Sequence, residues 1–127
     1  MRRLRSTKGP DLCERTFKFG VRITKMVRRL PRDVAGYEIG RQVLRSGTSI
    51  GANVEEADAA ESTDDFLHKL KIALKEAQET RFWLRTIHES ELLVDKEVDA
   101  LLQESNELIK ILNTIITNTT RKINNGR

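Results

Sequence analysis

The sequence is short of nearly everything that marks a catalytic or covalently stapled protein. Among its 127 residues there is one cysteine, Cys13. A lone cysteine closes no internal disulfide and builds no structural zinc site. The two histidines, His68 and His88, are too few for the paired Glu-x-x-His ligands of a di-iron bundle, and Asp65-x-x-His68 is a single near-match. No metal site is therefore expected. Gly47-x-x-x-Gly51 lacks the Lys-Ser/Thr ending of a phosphate loop, and no strand pattern precedes it. No nucleophile–base pair stands out, so no enzymatic activity, catalytic residue, cofactor or small-molecule substrate is expected. No apolar run approaches the roughly 20 residues of a membrane span. Met1-Arg2-Arg3-Leu4-Arg5 is basic but no apolar signal segment follows, so the expected location is cytoplasmic, with no membrane partner.

Charge is what the chain does have. Charged residues make up 33% and aromatics only 5%, with two prolines, a composition that suits long solvated helices. The length is that of one domain with one core. The net +4 hides a strong asymmetry. Residues 1–45 carry 13 Lys+Arg against 4 Asp+Glu, residues 46–110 carry 7 against 15, and residues 111–127 carry 3 against none. A basic front, an acidic middle and a basic tail point to an anionic partner or to complementary contacts between copies; a mixed solvated surface is the plain alternative.

Hydrophobic spacing predicts four helices. Residues 1–10 read as a flexible basic arm ending in Gly9-Pro10. Asp11 is a good N-cap with Glu14 three residues on, and Leu12, Thr16, Phe19, Ile23, Val27 and Leu30 form one face up to Pro31. A second helix starts between Asp33 and Glu38, with Ile39, Val43, Gly47, Ile50, Val54 and Ala57 in phase. Its glycines make it intrinsically poor, and a loop through Ser46–Ser49 competes. On the apolar face those glycines would admit a neighbouring backbone. Ser62 or Thr63 caps a third helix, on which Phe66, Leu70, Ala73, Ala77, Thr80, Leu84 and Ile87 alternate without a slip, beside Leu67, Lys71 and Leu74. Asp95 caps a fourth, with Val98, Leu101, Leu102, Ser105, Leu108, Ile109, Leu112, Ile115 and Ile116 inward and fraying expected beyond Thr119. The bundle domain is placed at 11–123, with 124–127 a disordered tail. The fold class is all-α, an antiparallel up-down-up-down four-helix bundle.

Few side chains suggest chemistry or contact. Cys13 reads as a packing residue, His68 as a surface one, and His88 as meeting a helix C-terminus. Glu76 and Glu79 with Arg41, Arg45 and Asn53 form a candidate polar cluster, buried to fix register or simply solvated. Phe82 and Trp83 are adjacent and face different ways. The core can take one, and the other marks a candidate oligomer interface. Stacking of Trp83 on nucleic acid is a rarer alternative.

Two long segments carry a family resemblance: Gln42-Val-Leu-Arg-Ser-Gly-Thr-Ser-Ile-Gly-Ala-Asn-Val-Glu-Glu-Ala57 and Asp64-Asp-Phe-Leu-His-Lys-Leu-Lys-Ile-Ala-Leu-Lys-Glu-Ala-Gln-Glu-Thr-Arg-Phe-Trp-Leu84. With Asp11-Leu-Cys-Glu-Arg-Thr-Phe17 and Leu30-Pro31, they resemble the bacterial four-helix-bundle family named after reading frames in intervening sequences of 23S ribosomal RNA genes, over about residues 11–116. The resemblance implies a bundle that assembles as a homopentamer. It extends to the basic pentameric accessory variability determinants of diversity-generating retroelements, which bind nucleic acid and a reverse transcriptase. No catalytic residue comes with it. The leading expectation is a non-enzymatic oligomeric interaction or assembly module. The alternative is a nucleic-acid-binding accessory protein that holds RNA or DNA through Arg2, Arg3, Arg5, Lys8, Arg28, Arg29, Arg32, Arg121, Lys122 and Arg127.

Overall fold

A computed structural model describes Leu4 and residues 11–126. Four helices follow one another: α1 (Leu12–Val27), α2 (Val34–Asp58), α3 (Thr63–Glu89) and α4 (Lys96–Asn125). No strand occurs among the described residues. Each helix starts at a side-chain cap: Asp11, Ser62 and Asp95 are the caps expected from sequence, and Asp33 fixes the start of the second helix at the first residue of its expected range. Asp11, Asp33 and Ser62 accept from the amides of Glu14, Gly36 and Asp65, and Asp95 accepts from that of Glu97. These caps satisfy amides that have no partner inside the helix.

Three expectations are corrected, two about helix ends and one about Leu4. The first helix stops at Val27 rather than Leu30, because Pro31 disfavours helical geometry before it; Arg29 and Leu30 close a tighter turn by donating to the Met26 and Val27 carbonyls. The fourth does not fray at Thr119 but runs to Asn125, into the stretch assigned to a tail. Ile115, Ile116, Thr119 and Ile123 are half-buried along it, and nothing interrupts propagation before Gly126. Leu4 is not part of a loose arm. It is buried with the core, its amide donates to Asp58 Oδ1 at 2.9 Å, and its carbonyl accepts from Leu12. It is an apolar residue in a charged segment, and burial offsets the entropy of holding it.

Contacts run in opposite sequence order between neighbours. Arg15 and Arg22 of α1 meet Glu104 and Glu97 of α4, and Arg29, in the turn after α1, meets Asp95, the N-cap of α4. Arg45 and Glu56 of α2 meet Glu76 and Lys69 of α3. Arg81 and His88 of α3 meet Asn106 and Asp99 of α4. The core between the helices holds the stripes read from sequence, including every position of the third: Phe66, Leu70, Ala73, Ala77, Thr80, Leu84 and Ile87. Lys71 alone leaves its secondary stripe and stands in solvent.

α2 is continuous through Ser46–Ser49, and its glycines explain why. A Cβ at Gly47 would lie 2.9 Å from Ile23 Cγ2, and one at Gly51 would lie 3.1 Å from the Thr16 carbonyl oxygen. These glycines let α1 and α2 approach more closely than side chains allow. The packing recovers the helix propensity they cost, about 1 kcal/mol each.

Candidate self-association and nucleic-acid surfaces

The close approach of α1 and α2 leaves an open groove along their outer side. Gly20, Thr24, Thr48, Gly51 and Ala52 make a shallow floor, and Phe17 and Val21 rise beside it. The space is about 370 Å³ and its lining is mostly apolar. Phe17 is 59% exposed and Val21 38% exposed. The local sequence produces this directly. Thr16, Phe19, Gly20 and Ile23 take the inner face of α1, so Phe17 and Val21, one turn apart, fall outside. The core stripes expected from sequence account for the inner face, and the exposed apolar pair is visible only once the helix phase is fixed.

Phe82 and Trp83 divide as adjacent residues on a helix must. Trp83 is half-buried against the core, and its Nε1 donates to Glu79 at 3.2 Å. Phe82 is 57% exposed and meets Trp83 edge-on, with ring centroids 5.0 Å apart.

The basic residues do not form one surface. Arg28, Arg29 and Arg32 sit at the α1–α2 turn. Arg121 and Lys122 are exposed near the far end of α4, about 40 Å away by helical rise from Asp95. Arg29 is taken up by Asp95 at 2.6 Å, and that contact holds the Asp95 carboxyl below its usual range. Arg28 and Arg32 make no ion pair among the described residues. Together with Pro31, Tyr37 and Arg41 they line a cleft of about 310 Å³ at the turn, beside which Tyr37 is 63% exposed. Arg41 is turned to Glu38 at 2.8 Å. Arg2, Arg3, Arg5, Lys8 and Arg127 lie outside the described residues.

The acidic middle is less bare than its linear count implies. Glu76 and Glu79 share Arg45, Glu97 takes Arg22, Glu104 takes Arg15, and Glu56 takes Lys69. Burial alone would push the Glu79 carboxyl up, but donors from Arg45 and Trp83 bring it below its usual range. The polar cluster expected here is corrected in membership. Arg41 pairs within its own helix and Asn53 donates to the Ser49 carbonyl, which leaves Arg45, Glu76 and Glu79 in a solvated cluster.

Buried polar side chains are few and mutually satisfied. Thr16 and Thr80 donate to carbonyls one turn back, and the Ser46 and Thr80 hydroxyls are 2.9 Å apart between α2 and α3. Cys13 is fully buried in the core, and His68 is exposed. Among the described residues, no three His, Cys, Asp or Glu gather as metal ligands, and no helix is long and apolar enough to cross a membrane.

The family model described as 23S rRNA-intervening sequence protein matches residues 10–114. The chain belongs to this family. A comparison with curated proteins finds no match. Among solved structures, the family relationship is matched by a crystal structure of a protein with unknown function from the S23 ribosomal protein family, from Bacteroides thetaiotaomicron VPI-5482. It aligns with a TM-score of 0.76 at 39% identity, over 82% of this chain and 96% of that one. The family match spans both the α1–α2 groove and the aromatic pair of α3.

Proposed function

We propose that the chain is a non-enzymatic assembly module of the cytoplasm, an antiparallel up-down-up-down bundle that works as a homo-oligomer, a pentamer. The observation that carries this reading is the α1–α2 groove, where two large apolar side chains flank a floor of glycine, alanine and threonine. Exposed contiguous apolar surface of this kind marks contact sites, and small residues allow close approach. The reversed order of helix contacts supports the antiparallel reading. A closed ring requires a heterologous contact, so the groove of one copy would receive a different patch of the next. Replacing Phe17 and Val21 by aspartate tests this. Light scattering should show an oligomer for the parent at tens of micromolar and a folded monomer for the variant. A monomeric parent would rule the assembly out.

A second reading, a nucleic-acid-binding accessory protein of the kind that partners a reverse transcriptase, draws on the α1–α2 turn. Arg28 and Arg32 beside exposed Tyr37 offer phosphate contacts and a stacking ring in one cleft. Fluorescence anisotropy with RNA and DNA oligomers tests it. Arg28→Ala with Arg32→Ala should weaken binding across sequences and flatten its salt dependence.

A further inference from the structure

The outer face of α3 carries a line of exposed residues that neither the core nor the ion pairs explain. Lys71, Lys75, Gln78, Phe82 and Arg85 recur at steps of four, three, four and three, and all are exposed. At 100° per residue they fall in one narrow sector, and from Lys71 to Arg85 they extend about 21 Å along the axis. The line is basic without being neutralised. Arg15, Arg22, Arg29, Arg41, Arg45 and Lys69 each have a carboxylate partner. Lys71, Lys75 and Arg85 have none among the described residues. Of the acids nearest them on the helix, Glu76 and Glu79 are taken by Arg45, and Glu89 makes its contact with the neighbouring His88 and none with Arg85. The ion pairs that absorb the acidic middle thus leave a cationic track on α3.

Phe82 sits on this track and its ring is held in place. Arg45 fixes Glu79, Glu79 accepts from Trp83 Nε1, and Trp83 meets the Phe82 ring in a T-shaped contact at an interplanar angle of 79°. An aromatic ring left 57% exposed yet oriented by a chain of three neighbours is suited to stacking.

We propose that this face of α3 binds single-stranded nucleic acid, with Lys71, Lys75 and Arg85 on phosphates and Phe82 stacked on a base. The ligand is single-stranded because a base within a duplex presents no free face to a ring on a convex helix. Cations alone would serve an acidic peptide equally; the oriented ring favours bases. The ligand class is that of the second reading above, but the surface is a separate one, on the side of the bundle and not at its end.

The test is anisotropy with labelled single-stranded RNA, its abasic counterpart and the matching duplex, over a series of salt concentrations. Four proteins are compared: the parent, Lys71→Ala/Lys75→Ala/Arg85→Ala, Phe82→Ala and Arg28→Ala/Arg32→Ala. Circular dichroism checks the fold of each. The α3 triple variant should bind at least about ten-fold more weakly, with the logarithmic salt slope shallower by about 2, at roughly 0.7 per lost contact. Phe82→Ala should weaken RNA about ten-fold and leave the abasic strand unchanged, the signature of stacking as opposed to packing. If the triple variant binds as the parent does while the turn variant loses binding, the α3 proposal falls and the second reading stands. If the parent binds neither single strand nor duplex at low salt, both fall. A preference for duplex, equal Phe82→Ala losses on intact and abasic strands, or displacement by polyglutamate as effective as by RNA would each overturn the α3 assignment.

Discussion

The two halves of the bundle are built on different terms. Gly20, Gly36, Gly40, Gly47 and Gly51 all lie in α1 and α2, whereas α3 and α4 contain no glycine. In the first half the helices approach so closely that a Cβ at Gly47 would press on the Ile23 side chain and one at Gly51 would sit tight against the Thr16 backbone. At the turn, a Cβ on Gly36 would fall 1.8 Å from the Pro31 carbonyl oxygen. In the second half, large apolar side chains fill the interior, and even the one left-handed position among the described residues is not glycine: Glu91 holds φ 57° in the α3–α4 turn. The halves meet on one side through buried α2–α3 packing and on the other through arginine–carboxylate pairs between α1 and α4. The first half is specified by steric exclusion and tolerates little change. The second is specified by volume and leaves room to improve.

Gly51→Leu should be the most damaging change. Its Cβ would meet the backbone of Thr16 and Phe17, which cannot rotate away, so α1 and α2 must separate. The expected loss is about 3 kcal/mol or more, a fall in Tm of roughly 10 °C. Thermal unfolding with the parent's Tm would put this glycine off the contact. A middle effect belongs to the hydroxyl pair joining the halves. Thr80→Val leaves the buried Ser46 hydroxyl only its long 3.4 Å bond to the Val43 carbonyl and should cost about 1–2 kcal/mol, whereas Thr80→Val with Ser46→Ala should recover much of that loss. Chemical denaturation of both singles and the double gives the coupling directly; additive losses would mean the pair contributes nothing as a pair.

Glu91 provides a change of opposite sign. Leu92 donates to the Ile87 carbonyl and Glu91 to that of His88, the paired bonds of a helix ending in a left-handed residue. Glutamate is disfavoured there and glycine is not, so Glu91→Gly should stabilise by about 0.5–1 kcal/mol despite the looser unfolded chain. A lower denaturation midpoint for Glu91→Gly would show that the carboxylate holds this turn.

Much of this was legible in the sequence, and the boundary is physical. Caps and core stripes depend on neighbours within a turn or two, so Asp11, Ser62 and Asp95 and the unbroken stripe of α3 could be read directly, whereas the start of α2 was placed only within Asp33–Glu38. The continuity of α2 was harder, because its glycines cost helix propensity and only the partner helix compensates. Surface assignments failed where they depended on distant residues. Arg29 looked like a free cation until Asp95, far along the chain, came beside it. The acidic middle looked repulsive until arginines of α1 and α2 were seen to neutralise it. The α3 track was hidden for the same reason: its cations stand out only after the others have found partners. Phe17 and Val21 were hidden by adjacency to the core stripe.

The smallest effect concerns the ionic side, and it separates the halves by chemistry more than by size. Arg22 donates to both carboxylate oxygens of Glu97, at 3.0 and 2.9 Å, and Arg15 does the same to Glu104, at 2.7 and 2.8 Å. Bidentate geometry favours these pairs, but the Arg22–Glu97 pair is about a third exposed and water screens it. The bond from Arg22 holds the Glu97 carboxyl below its usual range against an opposing push from burial. A carboxyl whose folded pKa is depressed contributes stability that is present above its unfolded pKa, near 4.3, and is lost as pH falls through the folded value. Asp95, held down by Arg29 and by the Glu97 amide, titrates in the same direction. Tm should therefore be flat near neutrality and decline below about pH 4.5. Glu97→Gln with Glu104→Gln should lower Tm by only about 3 °C at pH 7 and low salt, since screened pairs are worth about 0.5 kcal/mol each. The difference from the parent should shrink in high salt and again at acid pH, where the parent's own carboxylates protonate. Gly51→Leu should show neither dependence, because overpacking does not titrate. Calorimetric scans of both variants across pH and salt make the comparison. If the Glu97/Glu104 variant loses as much as Gly51→Leu, or loses it equally at every pH, the α1–α4 contact owes its stability to packing and the contrast between the two halves disappears.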